Sequence, residues 1–187
     1  MRGHYKFVPA ASGMVILLLV ATAATAKEKP ATQTLTDSKI ATVALTAHEI
    51  DIERGEMALK RTKNDDVKQF AEQMVNDHKA GRQEVLDLAH KLHVTPEESS
   101  ITRSLKDQAQ KTASRLKTLS GAAFDKAYID AEVAYHQAVI DALNKTSLIP
   151  NASNAEVKQA LINTGPTLVG HLKHAKDVQK LLHEQAS

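Results

Sequence analysis

The chain has 187 residues, 42% hydrophobic, 25% charged and only 3% aromatic, with a formal net charge of +2. That length suits one domain with one core. So few Gly, Pro and aromatic residues argue against sandwiches and barrels, and the absence of Cys excludes thiolate chemistry, disulfides and Cys-ligated metal centres.

Residues 1–26 read as a secretory signal peptide. Arg2 and Lys6 form a basic start, Met14 to Val20 an apolar run, and Ala24-Thr25-Ala26 a small-residue cleavage site, with cleavage expected after Ala26. The apolar run is far shorter than the ~20 residues of a membrane span, so no transmembrane anchor is expected after cleavage. The expected location is periplasmic or secreted. Without the two basic leader residues, 22 Lys and Arg face 22 Asp and Glu. That balance gives no electrostatic footprint for nucleic acid.

Residues 27–36 are polar and read as a flexible linker, followed by a helical domain over 37–184. The first helix is expected over 37–62, with Asp37 or Ser38 as its cap. A second runs over about 64–92, opened by Asn64-Asp65-Asp66 and stopped near Pro96. A weaker helix fits 99–118, and Ser120-Gly121 punctuates the chain. A fourth covers about 122–145. Pro150 breaks the chain again, and Ser153 or Asn154 can cap a last helix reaching about residue 184. Short links join the first helix to the second and the fourth to the fifth, which forces two antiparallel hairpins. The long stretch between the hairpins carries the weak helix. The expected class is all-α: a ferritin-like four-helix bundle with one long crossover carrying an extra short helix. An up-down bundle with a fifth helix outside is the alternative.

The rows of alternating three and four residues carry the chemistry. In the second helix the row reads Val67, Ala71, Met74, His78, Gly81, Val85, Leu88, Leu92. In the last it reads Val157, Leu161, Thr164, Leu168, His171, Ala175, Val178, Leu182. The fourth helix has Ile129, Val133, His136, Ile140, Leu143. Each row is a buried face interrupted by one imidazole. Each His lies roughly 21–26 Å along its helix, near the middle, so all three can meet at one level. In the first helix the row Val43, Ala47, Ile50, Met57 leaves a gap flanked by Glu53 and Arg54, one of which must lean inward. Glu53 is at the level of the three His. Glu49, Glu132 and His174 lie about one turn away. Asp77 is expected to face solvent.

A lone core His usually only needs a hydrogen-bond partner. Three together need donors and acceptors among themselves, or a metal ion. The candidate metal ligands are therefore His78, His136, His171 and Glu53, with Glu49, Glu132 and His174 behind them. Zinc or copper suits such a site. A di-iron carboxylate centre does not, because no Glu precedes any of the three His by three residues. A metal-free His/Glu network is the competing reading.

Several strings resemble a known family: Gly55-Glu56-Met57-Ala58-Leu59, Val67 to His78, Lys91 to Pro96, Gly121 to Tyr128, Glu132 to Val139 and Pro166 to Ala175. In this order they resemble the bacterial domain-of-unknown-function 4142 family over about residues 37–184. The resemblance implies an exported outer-membrane or periplasmic protein with a ferritin-like bundle and no established reaction. The family's His-containing strings fall on His78, His136 and His171. Gly121 and Asp125 fall in its Phe-Asp motif, where Asp125 is expected to support the helix start. The sequence carries no nucleophile elbow and no phosphate-cradling Gly loop, so it leans away from an enzyme. It leaves open a metal-binding bundle or a structural protein that interacts with an envelope partner.

Overall fold

The computed structural model describes residues 35–146 and 148–185, within a compact unit spanning Gln33–Ser187. The expected signal peptide and most of the expected linker lie outside the described residues. Leu35, assigned above to the linker, is buried against the core.

The described chain is all-α. The helices are α1 (Asp37–Leu59), α2 (Asp65–Lys91), α3 (Ser100–Lys117), α4 (Gly121–Asp141), a short α5 (Leu148–Asn151) and α6 (Ala155–Gln185). Local chemistry sets their starts. Thr36, rather than Asp37 or Ser38, caps α1 by accepting from the Lys39 amide. Asn64 caps α2 through the Val67 amide, Ser99 caps α3 through Thr102, and Asn154 accepts from the Glu156 and Val157 amides at the start of α6. Gly121 opens α4 with a φ of +54°, a conformation that a side chain disfavours. Asp125 does not cap: it is buried, and its Oδ1 has no partner among the described residues. The end of α4 unwinds into a π-helical turn, Ala142–Thr146, where a plain helix was expected. The π turn and α5 lie between α4 and α6.

α1 packs along α2, and α4 along α6. α2 also meets α6, and α4 meets α1, while α3 lies across α1 and touches α4. The α2 row is fully buried from Val67 to His78 and half-buried from Gly81 to Leu92. Met74, Ile129, Leu161 and Leu168 are core residues as their rows predict, and Phe70 is buried with them, whereas Leu88 and Ile140 are only half-buried. The core has two clusters. One contains Phe70, Met74, Phe124, Tyr128, Ile129 and Val178. The other contains Ile40, Val43, Leu143, Val157, Leu161 and Leu168. Between them lies a polar layer. Among the described residues no helix is long and apolar enough to cross a membrane.

Candidate metal centre

The layer is assembled from the middles of four helices. α2 supplies His78, α4 supplies Glu132 and His136, α6 supplies His171, and α1 supplies Asp51 and Arg54, all buried. The centroids of the His78 and His171 rings are 5.1 Å apart, those of His136 and His171 5.4 Å, and those of His78 and His136 5.8 Å. One ring nitrogen from each of the three lies within 4.8 Å of the others.

Each imidazole spends one nitrogen outside this trio. His171 Nε2 bonds Asp77 Oδ2 at 2.9 Å, and His136 Nδ1 donates to the Glu132 carbonyl at 3.0 Å. His78 Nδ1 meets His48 Nδ1 at 3.0 Å. The other nitrogens, His78 Nε2, His136 Nε2 and His171 Nδ1, are buried without a hydrogen-bond partner among the described residues. An outer oxygen acceptor, the Glu132 carbonyl for His136 and the Asp77 carboxylate for His171, holds the proton on that nitrogen and leaves the lone pair of the other free, as metal-ligating imidazoles require. Burial favours the neutral form of His78, His48 and His136. The pKa of His78 is pushed down to about 2, first by desolvation and then by the neighbouring imidazoles. That of His48 is lowered to about 4 by burial, with His171 and Arg82 adding to it. His136 is also lowered, by burial foremost. Neutral imidazole is the form that binds metal.

A four-coordinate ion with bonds of ~2.0–2.1 Å spaces its ligands about 3.4 Å apart. One ring nitrogen from each imidazole, all within 4.8 Å of one another, lies close to that spacing. The donor set therefore fits a nitrogen-liganded transition metal.

A second group, Asp51, Glu132 and His136, also brings its ligand atoms within 4.8 Å of one another. Here a cation is already built in. Arg54 Nη1 donates to Glu132 Oε1 at 3.3 Å, and its guanidinium lies 4.3 Å from the centre of the Tyr135 ring. Burial works against the Arg54 charge, but Glu132 and Asp51 outweigh it and raise its pKa. The Asp51 carboxyl is pushed well above its ordinary range, first by burial and then by the negative charge of Glu132. Asp51 Oδ2 also lies 3.5 Å from His78 Nε2.

The placement of the remaining sequence candidates is uneven. Glu53 is exposed: at the gap in the α1 row it is Arg54 that leans inward, with Asp51 beside it. The reason is charge: Arg54 finds a buried carboxylate in Glu132, and Glu53 has no such partner there. Glu49 is exposed and pairs with Arg82 at 3.3 Å. Glu132 is buried in the layer, as the ion partner of Arg54. His174 is half-buried one turn beyond the layer, bonded to Gln73 and edge-on to Phe70. Asp77 is 42% exposed but turns its carboxylate onto His171. Sequence reasoning passed over Asp51 and gave His48 no role. The row Ile40, Ala44, Ala47, Asp51, Arg54, Ala58 keeps three-four spacing and would have found Asp51, had charged residues been admitted to it. Gly81 makes room for His48: a Cβ there would lie 2.6 Å from His48 Cε1.

The chain belongs to the family described as domain of unknown function 4142, whose family model matches residues 21–178. No curated protein and no solved structure matches it.

Proposed function

We propose that this protein is an exported helical bundle, of ferritin-like connectivity, that binds one divalent transition metal ion per chain through His78 Nε2, His136 Nε2 and His171 Nδ1. The observation that carries this reading is three imidazoles with ring centres 5.1–5.8 Å apart, each meeting an outer partner through one nitrogen and leaving the other buried without a hydrogen-bond partner among the described residues. Buried ring nitrogens without a hydrogen-bond partner are costly in a protein interior unless a cation or water joins them. Zinc or copper fits three neutral imidazoles best. Arg54 argues for one ion rather than two: its guanidinium holds Glu132, which a second metal would have to take from it. The leader sequence supports action after export.

The protein's own groups set the properties of the site. Asp77 and the Glu132 carbonyl orient His171 and His136. His48, housed by Gly81, orients His78. Asp51 lies next to His78 and is placed to approach the ion as a fourth ligand or to hold a water on it. This is a binding site, suited to holding or buffering metal; no reaction is assigned to it.

Titration calorimetry of untagged, chelator-stripped protein with zinc, copper and nickel tests the reading, with elemental analysis of the protein as purified. One ion per chain is expected, lost in His136→Ala. No heat with any of the three metals would refute metal binding and favour the metal-free network of a structural envelope protein.

A further inference from the structure

On one side of the polar layer the bundle encloses a cavity of about 350 Å³. Protein interiors are close-packed, and voids much larger than a water molecule are few. This one is built from the sequence. Ala44 and Ala47 of α1, Ala134 and Ala138 of α4 and Ala160 of α6 all line it, where larger side chains would close the gap. The π turn adds Ala142 and Leu143 to the wall, and Gly165, beside the helix-breaking Pro166, lies close to Leu143. Ala134 and Ala138 are both exposed and both line the cavity, so it opens along α4 beside α3.

The cavity is long. Its lining runs along α1 from Asp37 to Arg54, roughly 25 Å, and along α2 from His78 to Leu92, roughly 21 Å. Its walls are mostly aliphatic, with Gln108, Thr112 and Thr164 among them, and His48, Asp51, Arg54, His78 and Tyr135 gather at one end. At the other end Asp37 is already spent on the Ser153 and Asn154 amides. A long, narrow, aliphatic space suits a single alkyl chain better than fused rings. An engineered 150 Å³ cavity takes a benzene ring, so this volume accommodates roughly a dozen carbon atoms, and it falls in the range of ligand pockets.

The polar end selects the head group. Arg54 donates from Nη1 to Glu132, but its Nε is buried with no acceptor among the described residues. Arg54 lines the polar end of the cavity and keeps donor capacity beyond its bond to Glu132, which an oxygen acceptor would take up. A carboxylate head would supply one, but it would bring a second buried negative charge to a guanidinium already paired with Glu132. An ammonium head has no acceptor to offer and would face the guanidinium.

We propose that this cavity binds a single-chain amphiphile, with an apolar tail of roughly a dozen carbons and an uncharged oxygen head, such as an alcohol or amide, that accepts a hydrogen bond from Arg54. The proposal does not rest on metal binding.

The test is equilibrium binding to the full chain, purified without a tag and kept in chelator, using 1-dodecanol, dodecane, sodium dodecanoate and dodecylamine, with stoichiometry read by native mass spectrometry. The expected result is one dodecanol per chain, with the other three at least about tenfold weaker. Ala44→Phe, which fills the cavity, should weaken dodecanol at least about tenfold while the helical melt stays cooperative. If Ala44→Phe does not fold, Ala138→Leu at the open side replaces it, with the same expected loss. No dodecanol binding by the wild type overturns the proposal. So does unchanged binding by a folded cavity-filling variant, which would place the molecule elsewhere. Tightest binding by dodecanoate, dodecylamine or dodecane overturns the head-group assignment.

Discussion

The two halves of the core lie on either side of one imidazole layer and are built from different residues. The half containing Phe70, Phe124 and Tyr128 is closed. Phe124 stacks on Tyr128 at 6.3 Å and Phe70 meets Tyr128 edge-on at 6.0 Å, and all three are fully buried. Gly55 lets α1 approach α2 there, since a Cβ would lie 2.7 Å from Val75 Cγ2. The other half has no aromatic residue in its cluster among the described residues, only aliphatic side chains, and the alanine-lined cavity lies within it. Aromatic rings fill volume in large rigid blocks, whereas alanines facing alanines leave it open. The difference teaches a division of labour: one half carries the stability, the other gives access to the polar layer.

The largest expected effect tests that division directly. Phe70→Ala should cost about 3–5 kcal/mol in chemical denaturation, because its surroundings cannot collapse around the gap. Leu161→Ala, on the wall of an existing cavity, should cost only about 2 kcal/mol, the low end for its kind. Equal costs would mean the two halves are packed alike.

The layer between them should behave as a metal site, not as core. His171→Ala should lower zinc or copper affinity more than about 100-fold by calorimetry, and Asp77→Ala, which removes only the outer partner, about 10–100-fold. His90→Ala, on the surface, should leave binding unchanged. Equal loss from His90→Ala would show that the heat comes from surface imidazoles.

Gly81→Ala should act through His48. The added methyl must push the ring away and so remove the partner of His78 Nδ1. Metal affinity should fall up to about tenfold, a weaker effect than removing Asp77, because His48 is itself half-buried and can move. Unchanged affinity would mean that His78 needs no orienting partner.

The last test is a pH slope. His48 and His78 have folded pKa values of about 4 and about 2, below the ~6.5 of an unfolded chain. Acid therefore protonates the unfolded state first, and their contribution is lost as pH falls from about 6.5 toward those values. Asp51, raised in the fold, works in the opposite direction. Metal-free protein should be less stable to urea at pH 5 than at pH 7.5, with hydrogen exchange rising in the layer before the closed half. A flat profile would mean that Asp51 offsets the imidazoles.

Much of this architecture was legible in the chain. The rows through Val67, Met74 and His78, and through Leu161, Leu168 and His171, are set by helical periodicity, which depends on nearest neighbours alone. The caps at Asn64 and Asn154 are local in the same way. The π turn and α5 were not legible, because they depend on how α4 and α6 meet beyond the layer.

The sequence by itself determined the all-α class, the three imidazoles on buried faces and their shared depth, since spacing and rise per residue fix both. Only the tertiary structure decided which α1 residues face inward. Glu53 and Arg54 flank the same gap, and the choice falls to Arg54 because Glu132, 78 residues away, supplies the buried carboxylate it needs. Asp51 enters beside it, its carboxyl held toward the neutral form by burial and by Glu132. Likewise the alanines of α1, α4 and α6 look like ordinary helix formers one helix at a time. They become a cavity only where the helices bring them face to face. Burial of charge and the shape of empty space depend on partners distant in the chain, and periodicity carries no information about those partners.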